Sequence, residues 1–299
     1  MGAMAAVNKL IHYISTSEGM INKNDYLNYN WTFGKIAYKK YGQGSPLLLI
    51  HDLNVCSSSY EWKNVVKVLS ESYTVYTIDL LGCGCSDKPC LTYTNYLYVQ
   101  LITDFIRNVI KEKTDVLCSG DSCPFVVMAC ANNDTIINRI MMINPSDLVS
   151  LARTLDRISK LIRHIMYLPI VGTFIYNMFN GKRRIRSKFN DTYYYNANNV
   201  REKDVLTYYE SAHRDKIRSR FLYSCQKTFY TNADITHALR KINNPIYIVA
   251  GKNYLIGDLI ASQYQNVSPS IEIIFSAGKK LLHLEESKDF LDNFNVLFN

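Results

Sequence analysis

The chain has 299 residues, 47% of them hydrophobic and 20% charged, with a formal net charge of +8. That length suffices for one large domain carrying an insertion, and the composition excludes a disordered, collagenous or disulfide-stapled chain. The charge is unevenly placed: residues 149–233 hold sixteen Lys or Arg against six Asp or Glu, which leaves the remainder slightly acidic. Such a basic block is expected either to attract an anionic membrane surface or acidic ligand, or to form a solvated face. Nucleic acid is not among the expected partners.

Residues 5–14 read as a short apolar helix, shorter than the ~20 residues that span a bilayer. The opening MGAM is set aside from the fold as an added scar. Residues 31–41 read as an antiparallel pair or one long edge strand. PLLLIH at 46–51 is a continuous apolar run, the pattern of a strand buried on both faces. Residues 60–69 have helical spacing, YTVYTID at 73–79 is the next strand, and 98–111 form an amphipathic helix with Leu101, Phe105 and Val109 on one stripe. Residues 115–119 and 137–144 are two further strands.

The rhythm then breaks. Residues 149–234 are helical, basic and tyrosine-rich, with 193–199 a polar loop, and the strand pattern returns at 245–251 and 270–275 before a closing helix at 284–297. A parallel sheet with helical crossovers and one helical insertion is expected. The domains are 1–30 as an N-terminal helix and extension, 31–148 with 235–299 as the core, and 149–234 as a cap. The eight cysteines, without a charged, cleavable secretory start, point to a reducing, cytoplasmic setting, with membrane association through the cap as an added expectation. Cys83, Cys85 and Cys90 cluster but lack a second ligand pair, so no metal is expected; nor is a cofactor.

Chemistry concentrates at Cys118-Ser119-Gly120-Asp121-Ser122-Cys123-Pro124, where a strand runs into a helix. A sharp turn there lifts a side chain above the sheet, and the helix N-terminus favours developing negative charge. Pro124 is compatible with a first helical turn.

Three further segments accompany this turn: LLLIHDLNVCSSSYEW at 47–62, TVYTIDLLGCGCSDKP at 74–89 and GKKLLHLEES at 278–287. With INPSDL at 143–148, they resemble the α/β-hydrolase superfamily, esterase- or lipase-like, over residues 31–299. The resemblance implies an α/β-hydrolase fold, a mostly parallel sheet flanked by helices with an inserted helical cap. It also implies Ser122 as nucleophile, with an oxyanion hole from the backbone of Cys123 and of Asp52 and Leu53. Asp52 stands where the family has glycine. The family's catalytic histidine falls on Lys280, with His283 three residues on as the other candidate base, and its acid falls on Tyr254, leaving Asp258 or Asp147 to substitute. A lysine serves as base only if its pKa is strongly lowered, and a base without an orienting acid loses orders of magnitude in rate.

Two functions follow. One is a serine hydrolase of a carboxylic ester or similar acyl substrate. The other is a homologue with a degenerate triad that binds a hydrophobic or anionic ligand, a membrane surface or a partner. Residues 165–179, apolar but broken by Pro169 and Gly172, are expected to line an acyl pocket or to meet a membrane.

Overall fold

The computed structural model describes residues 2–298. Eight strands form one sheet in the order β1-β2-β4-β3-β5-β6-β7-β8. β1 (Leu27–Trp31) and β2 (Gly34–Tyr41) make an antiparallel hairpin that joins the sheet against β4 (Tyr73–Ile78). β3 (Ser45–Ile50), β4, β5 (Thr114–Ser119), β6 (Ile137–Ile143), β7 (Ile246–Gly251) and β8 (Glu272–Ser276) run parallel. The expected fold is met.

The apolar runs behave as their composition requires. Leu48 and Ile50 of β3 face one core layer with Val116 and Cys118 of β5, while Leu47, Leu49 and Leu117 face the other. Successive side chains point to opposite faces, so a strand covered by helices on both sides is apolar throughout. The covering helices include α2 (Val66–Leu69), α3 (Asn95–Phe105) and α4 (Cys123–Asn132), whereas α1 (Gly2–Thr16) packs on helices that follow β6. A helical insertion follows β6 as α5 (Leu148–Leu151), α6 (Arg157–Tyr167), α7 (Val171–Phe179), α8 (Lys182–Lys188), α9 (Glu202–Ile217) and α10 (Arg220–Lys227). α11 (Thr236–Lys241), α12 (Gly257–Val267), α13 (Leu282–Glu285) and α14 (Ser287–Phe298) return the chain to the core.

Some expected boundaries move. Residues 27–30 belong to the sheet as β1, because the hairpin turn falls at Thr32 and Phe33. The helical stretch expected at 60–69 is two short pieces, a 3₁₀ turn at Ser59–Trp62 and α2. The opening residues Gly2 to Met4 continue α1.

The parallel strands end together. Ile50 pairs with Cys118, Ser119 with Ile143, and Ile143 with Val249. The loops leaving β3, β5, β6 and β7 therefore converge at one sheet edge, outside the carboxyl ends of the strands, where α/β sheets hold their ligands.

Candidate active site

β5 is buried along its whole length and runs straight into the turn at Gly120. Gly120 adopts φ +55, the left-handed backbone that a turn leading abruptly from strand to helix requires. Ser122 lies two residues later with helical backbone, φ −85 and ψ −20. Its side chain has no solvent exposure, and its hydroxyl donates 2.8 Å to the Ser119 carbonyl. The turn residue lifted over the sheet is thus Gly120, which has no side chain to present. This corrects the expectation that Ser122 stands exposed at the apex.

The space above Gly120 is taken. A Cβ built there would lie 2.6 Å from Cγ of Asp52. Asp52, first in the loop after β3 save for His51, reaches across so that Oδ1 accepts the Asp121 N–H at 2.7 Å. Its Oδ2 accepts from Lys280 Nζ at 3.2 Å. The loop itself is clamped. His51 Nε2 accepts from the Leu80 N–H at 3.0 Å, so the proton on Nδ1 donates to the Asp52 carbonyl at 2.7 Å. The Asp52 N–H donates to Glu61 Oε2, and Gln226 of α10 donates its amide to the Leu53 carbonyl.

The oxyanion arrangement shifts in consequence. The Cys123 N–H is spent within the turn on the Gly120 carbonyl. The donor that faces the site is Asp121 N–H, two residues earlier, and its acceptor is the Asp52 carboxylate. Buried carboxylate, backbone donor and ammonium form a satisfied set. Burial opposes the charge on Lys280, but Asp52 and Asp121 outweigh it and hold its pKa well above the ordinary lysine value. A lysine held protonated cannot accept a proton from a hydroxyl.

The remaining candidates separate. Tyr254 shares the neighbourhood of Lys280 and Asp52, half-buried at the turn after β7, and burial raises its phenol. His283 lies elsewhere: it is fully buried, its ring stacks at 4.4 Å on Trp62, and Nε2 is 3.6 Å from Glu61 Oε2. Burial works against a charged Glu61, yet His283 and His51 prevail and keep its pKa below the usual carboxylate value. Asp147 is not a triad acid; its carboxylate caps α5 through the Val149 and Ser150 N–H groups, and Ser150 lowers its pKa. Asp258 is exposed in the first turn of α12, and its carboxylate makes no hydrogen bond or ion pair with the residues of the centre among the described residues. The structure therefore unites Asp52, Asp121, Lys280 and Tyr254, and leaves out His283, Asp147 and Asp258.

One residue with a role here escaped the sequence reading. Asn144, with φ +42 at the end of β6, donates to the Lys279 and Lys280 carbonyls at 3.0 and 2.9 Å and accepts from the Gly251 N–H at 2.9 Å. It fastens the segment bearing Lys280 to the ends of β6 and β7. A small polar residue able to adopt a left-handed backbone directly after a buried strand, as in Ile143-Asn144-Pro145, is the signal that marks it.

A cavity of about 270 Å³ persists between the sheet edge and the helical insertion, bordered by Asp121, Ser146, Arg153, Gln226 and Asn232. Among the described residues no cluster of His, Cys, Asp or Glu is arranged to hold a metal.

The sheet order and its flanking helices give this chain the α/β-hydrolase fold. No protein-family model matches it. Over 246 residues, 80% of this chain and 84% of the relative, it is 23% identical to a soluble epoxide hydrolase of Corynebacterium sp. (strain C12). A 71-residue stretch is 35% identical to the 2-hydroxy-6-oxo-6-(2'-aminophenyl)hexa-2,4-dienoic acid hydrolase of Metapseudomonas resinovorans, spanning 23% of this chain and only 24% of that relative. Among solved structures, a serine hydrolase involved in carbazole degradation matches with TM-score 0.72 at 17% identity, covering 91% of this chain and 98% of that one. The epoxide hydrolase CorEH matches with TM-score 0.72 at 19% identity, covering 91% and 97%. These four are hydrolases by name, and at these identities the structural likeness establishes the fold.

Proposed function

We propose that this α/β-hydrolase keeps the scaffold and cleft of its hydrolytic relatives while the ordinary serine route is closed, so that the cleft binds a small polar or anionic ligand. The relatives' names favour hydrolysis, and on a carboxylic ester or similar acyl substrate it would call on Ser122 in the turn that opens α4. For that chemistry Ser122 has to leave the Ser119 carbonyl, turn out of a position without solvent contact and find a base. The observation that carries the present reading is the Asp52 carboxylate over Gly120, held by Asp121 N–H and by Lys280. It fills the nucleophile's space and occupies the donor that would stabilise an oxyanion. The polar border of the remaining cavity, with Arg153, Gln226 and Asn232, supports an anionic or hydrogen-bonding ligand. The cysteines, all free among the described residues and all buried but Cys90, support a reducing, cytoplasmic setting.

Ester turnover tests this reading. Wild type and Ser122→Ala should release p-nitrophenol from p-nitrophenyl acetate, butyrate and octanoate at the same background rate. Saturable turnover by wild type that Ser122→Ala abolishes restores the hydrolysis reading.

A further inference from the structure

Three helices bury polar side chains while leaving large apolar ones open to water. In α1 the side chains turned inward are polar: Asn8 and Ser15 are buried, while Leu10, 57% exposed, stands out with Val7, Tyr13 and Ile14. α6 buries Ser159 with Met166 but exposes Ile158 and Leu161, at 66% and 60%. α7 buries Thr173 and Asn177 beside Tyr176 and exposes Met178 and Phe179. α1 and α6 both pack on α7.

The contacts between these helices are correspondingly polar. Asn8 donates to the Ile170 carbonyl at 3.0 Å and accepts from Asn177 at 2.9 Å. In water such a helix normally buries its apolar stripe and exposes its polar one. Small and hydrogen-bonding residues between helices, with large apolar residues outward, suit an apolar surrounding instead.

Charge identifies that surrounding. The exposed surface of α6 has two stripes at helical spacing: Ile158 and Leu161 on one, Arg157, Lys160 and His164 on the other. Beyond α7, Arg183 and Arg184 are exposed. Lys182 and Arg186 are neutralised by Glu202, whereas Arg157, Lys160, Arg183 and Arg184 make no ion pair among the described residues. α1 contains no acidic residue. Among the described residues no single helix is long and apolar enough to cross a membrane. Apolar side chains flanked by unpaired cations are the arrangement of a helix lying in the headgroup plane.

We propose that α1, α6 and α7 form a docking face for an anionic lipid bilayer, the apolar residues entering the interface and the basic ones meeting headgroup phosphates. A cavity of about 440 Å³, largely apolar, opens beside this face between Ala5 and His12 of α1 and Pro169 and Ile170 before α7. The proposal is independent of the state of the catalytic centre.

Co-sedimentation of the full chain with vesicles tests it. Vesicles of phosphatidylcholine mixed with phosphatidylglycerol should bind wild type, and pure phosphatidylcholine should bind far less. Ile158→Asp with Leu161→Asp should weaken binding roughly a hundredfold, since two large apolar side chains no longer enter the interface. Lys160→Gln should weaken it about fivefold, an effect that salt removes. Leu10→Asp on α1 provides a second, separately placed substitution, and unchanged far-UV dichroism and melting confirm that each variant is folded. Wild type that ignores anionic vesicles overturns the proposal, as does binding that these substitutions leave intact. A solution dimer that Ile158→Asp dissolves, without vesicle binding, also overturns it and makes a second copy the occupant.

Discussion

Removing the lysine from the Asp52–Lys280 pair has a calculable cost. With Nζ and Oδ2 at 3.2 Å, two unit charges attract by about 5 kcal/mol at an effective dielectric of ~20. Desolvation offsets much of this, so the pair adds little net stability relative to apolar residues. Breaking it from one side is different, because Asp52 stays buried with only the Asp121 N–H to hold it, and such half-removed pairs cost about 3–5 kcal/mol. Lys280→Met should therefore lower the urea unfolding free energy at neutral pH by roughly 3 kcal/mol, and adding Asp52→Asn should recover most of the loss. The pH dependence has a definite sign. Lys280 has a raised folded pKa, so its contribution is complete below the unfolded lysine value of ~10.4 and is lost as pH rises toward the folded one. The gap between wild type and Lys280→Met should persist through mildly alkaline pH and close only above ~10; toward acid it should narrow, because burial raises the Asp52 pKa and the carboxyl, without the lysine, takes up a proton. A loss below about 0.5 kcal/mol at neutral pH, the level of an ordinary surface substitution, refutes the reasoning.

Gly120→Ser should destabilise the fold by about 1–3 kcal/mol, from left-handed backbone and collision with Asp52, and Asp52→Gly in the same chain should relieve part of it; thermal melts of the two single and the double variants give the coupling. Asn144→Ala removes three hydrogen bonds between strand ends and the 279–280 segment and should cost about 2–4 kcal/mol by urea titration. His213 of α9 is buried, which lowers its pKa from 6.5 to about 4. Because the folded state resists protonation, stability should be full above the unfolded value and fall by up to about 3 kcal/mol as pH drops from 6.5 to 4, a slope that His213→Gln should flatten.

The fold was legible because its signals are redundant. Apolar runs at 46–51, 73–79 and 245–251 can be satisfied only by strands covered on both faces, and the stretch without strand pattern after β6 is helical, as α5 to α10 show. The location of the site was equally readable, since a strand entering a helix at Gly120 needs a sharp turn. The identity of the apex residue was not. A serine two places on drew the assignment, whereas the turn falls immediately after the last strand residue, Ser119, where glycine alone bears a left-handed backbone without cost. Lys280 meets Asp52 through a purely tertiary contact: nothing local to Asp52 says that its side chain crosses to the Asp121 N–H. Asp147 and Asp258 lie near strand ends in sequence, and helix starts claim both.

Intact-mass analysis after exposure to a fluorophosphonate, followed by peptide mapping, tests the closed centre most directly. Folded wild type should remain unmodified, because no hydroxyl stands over the turn and Asp52 fills the space where the phosphonyl group must enter. A stoichiometric adduct on Ser122, absent from Ser122→Ala, would show an activated serine and contradict it.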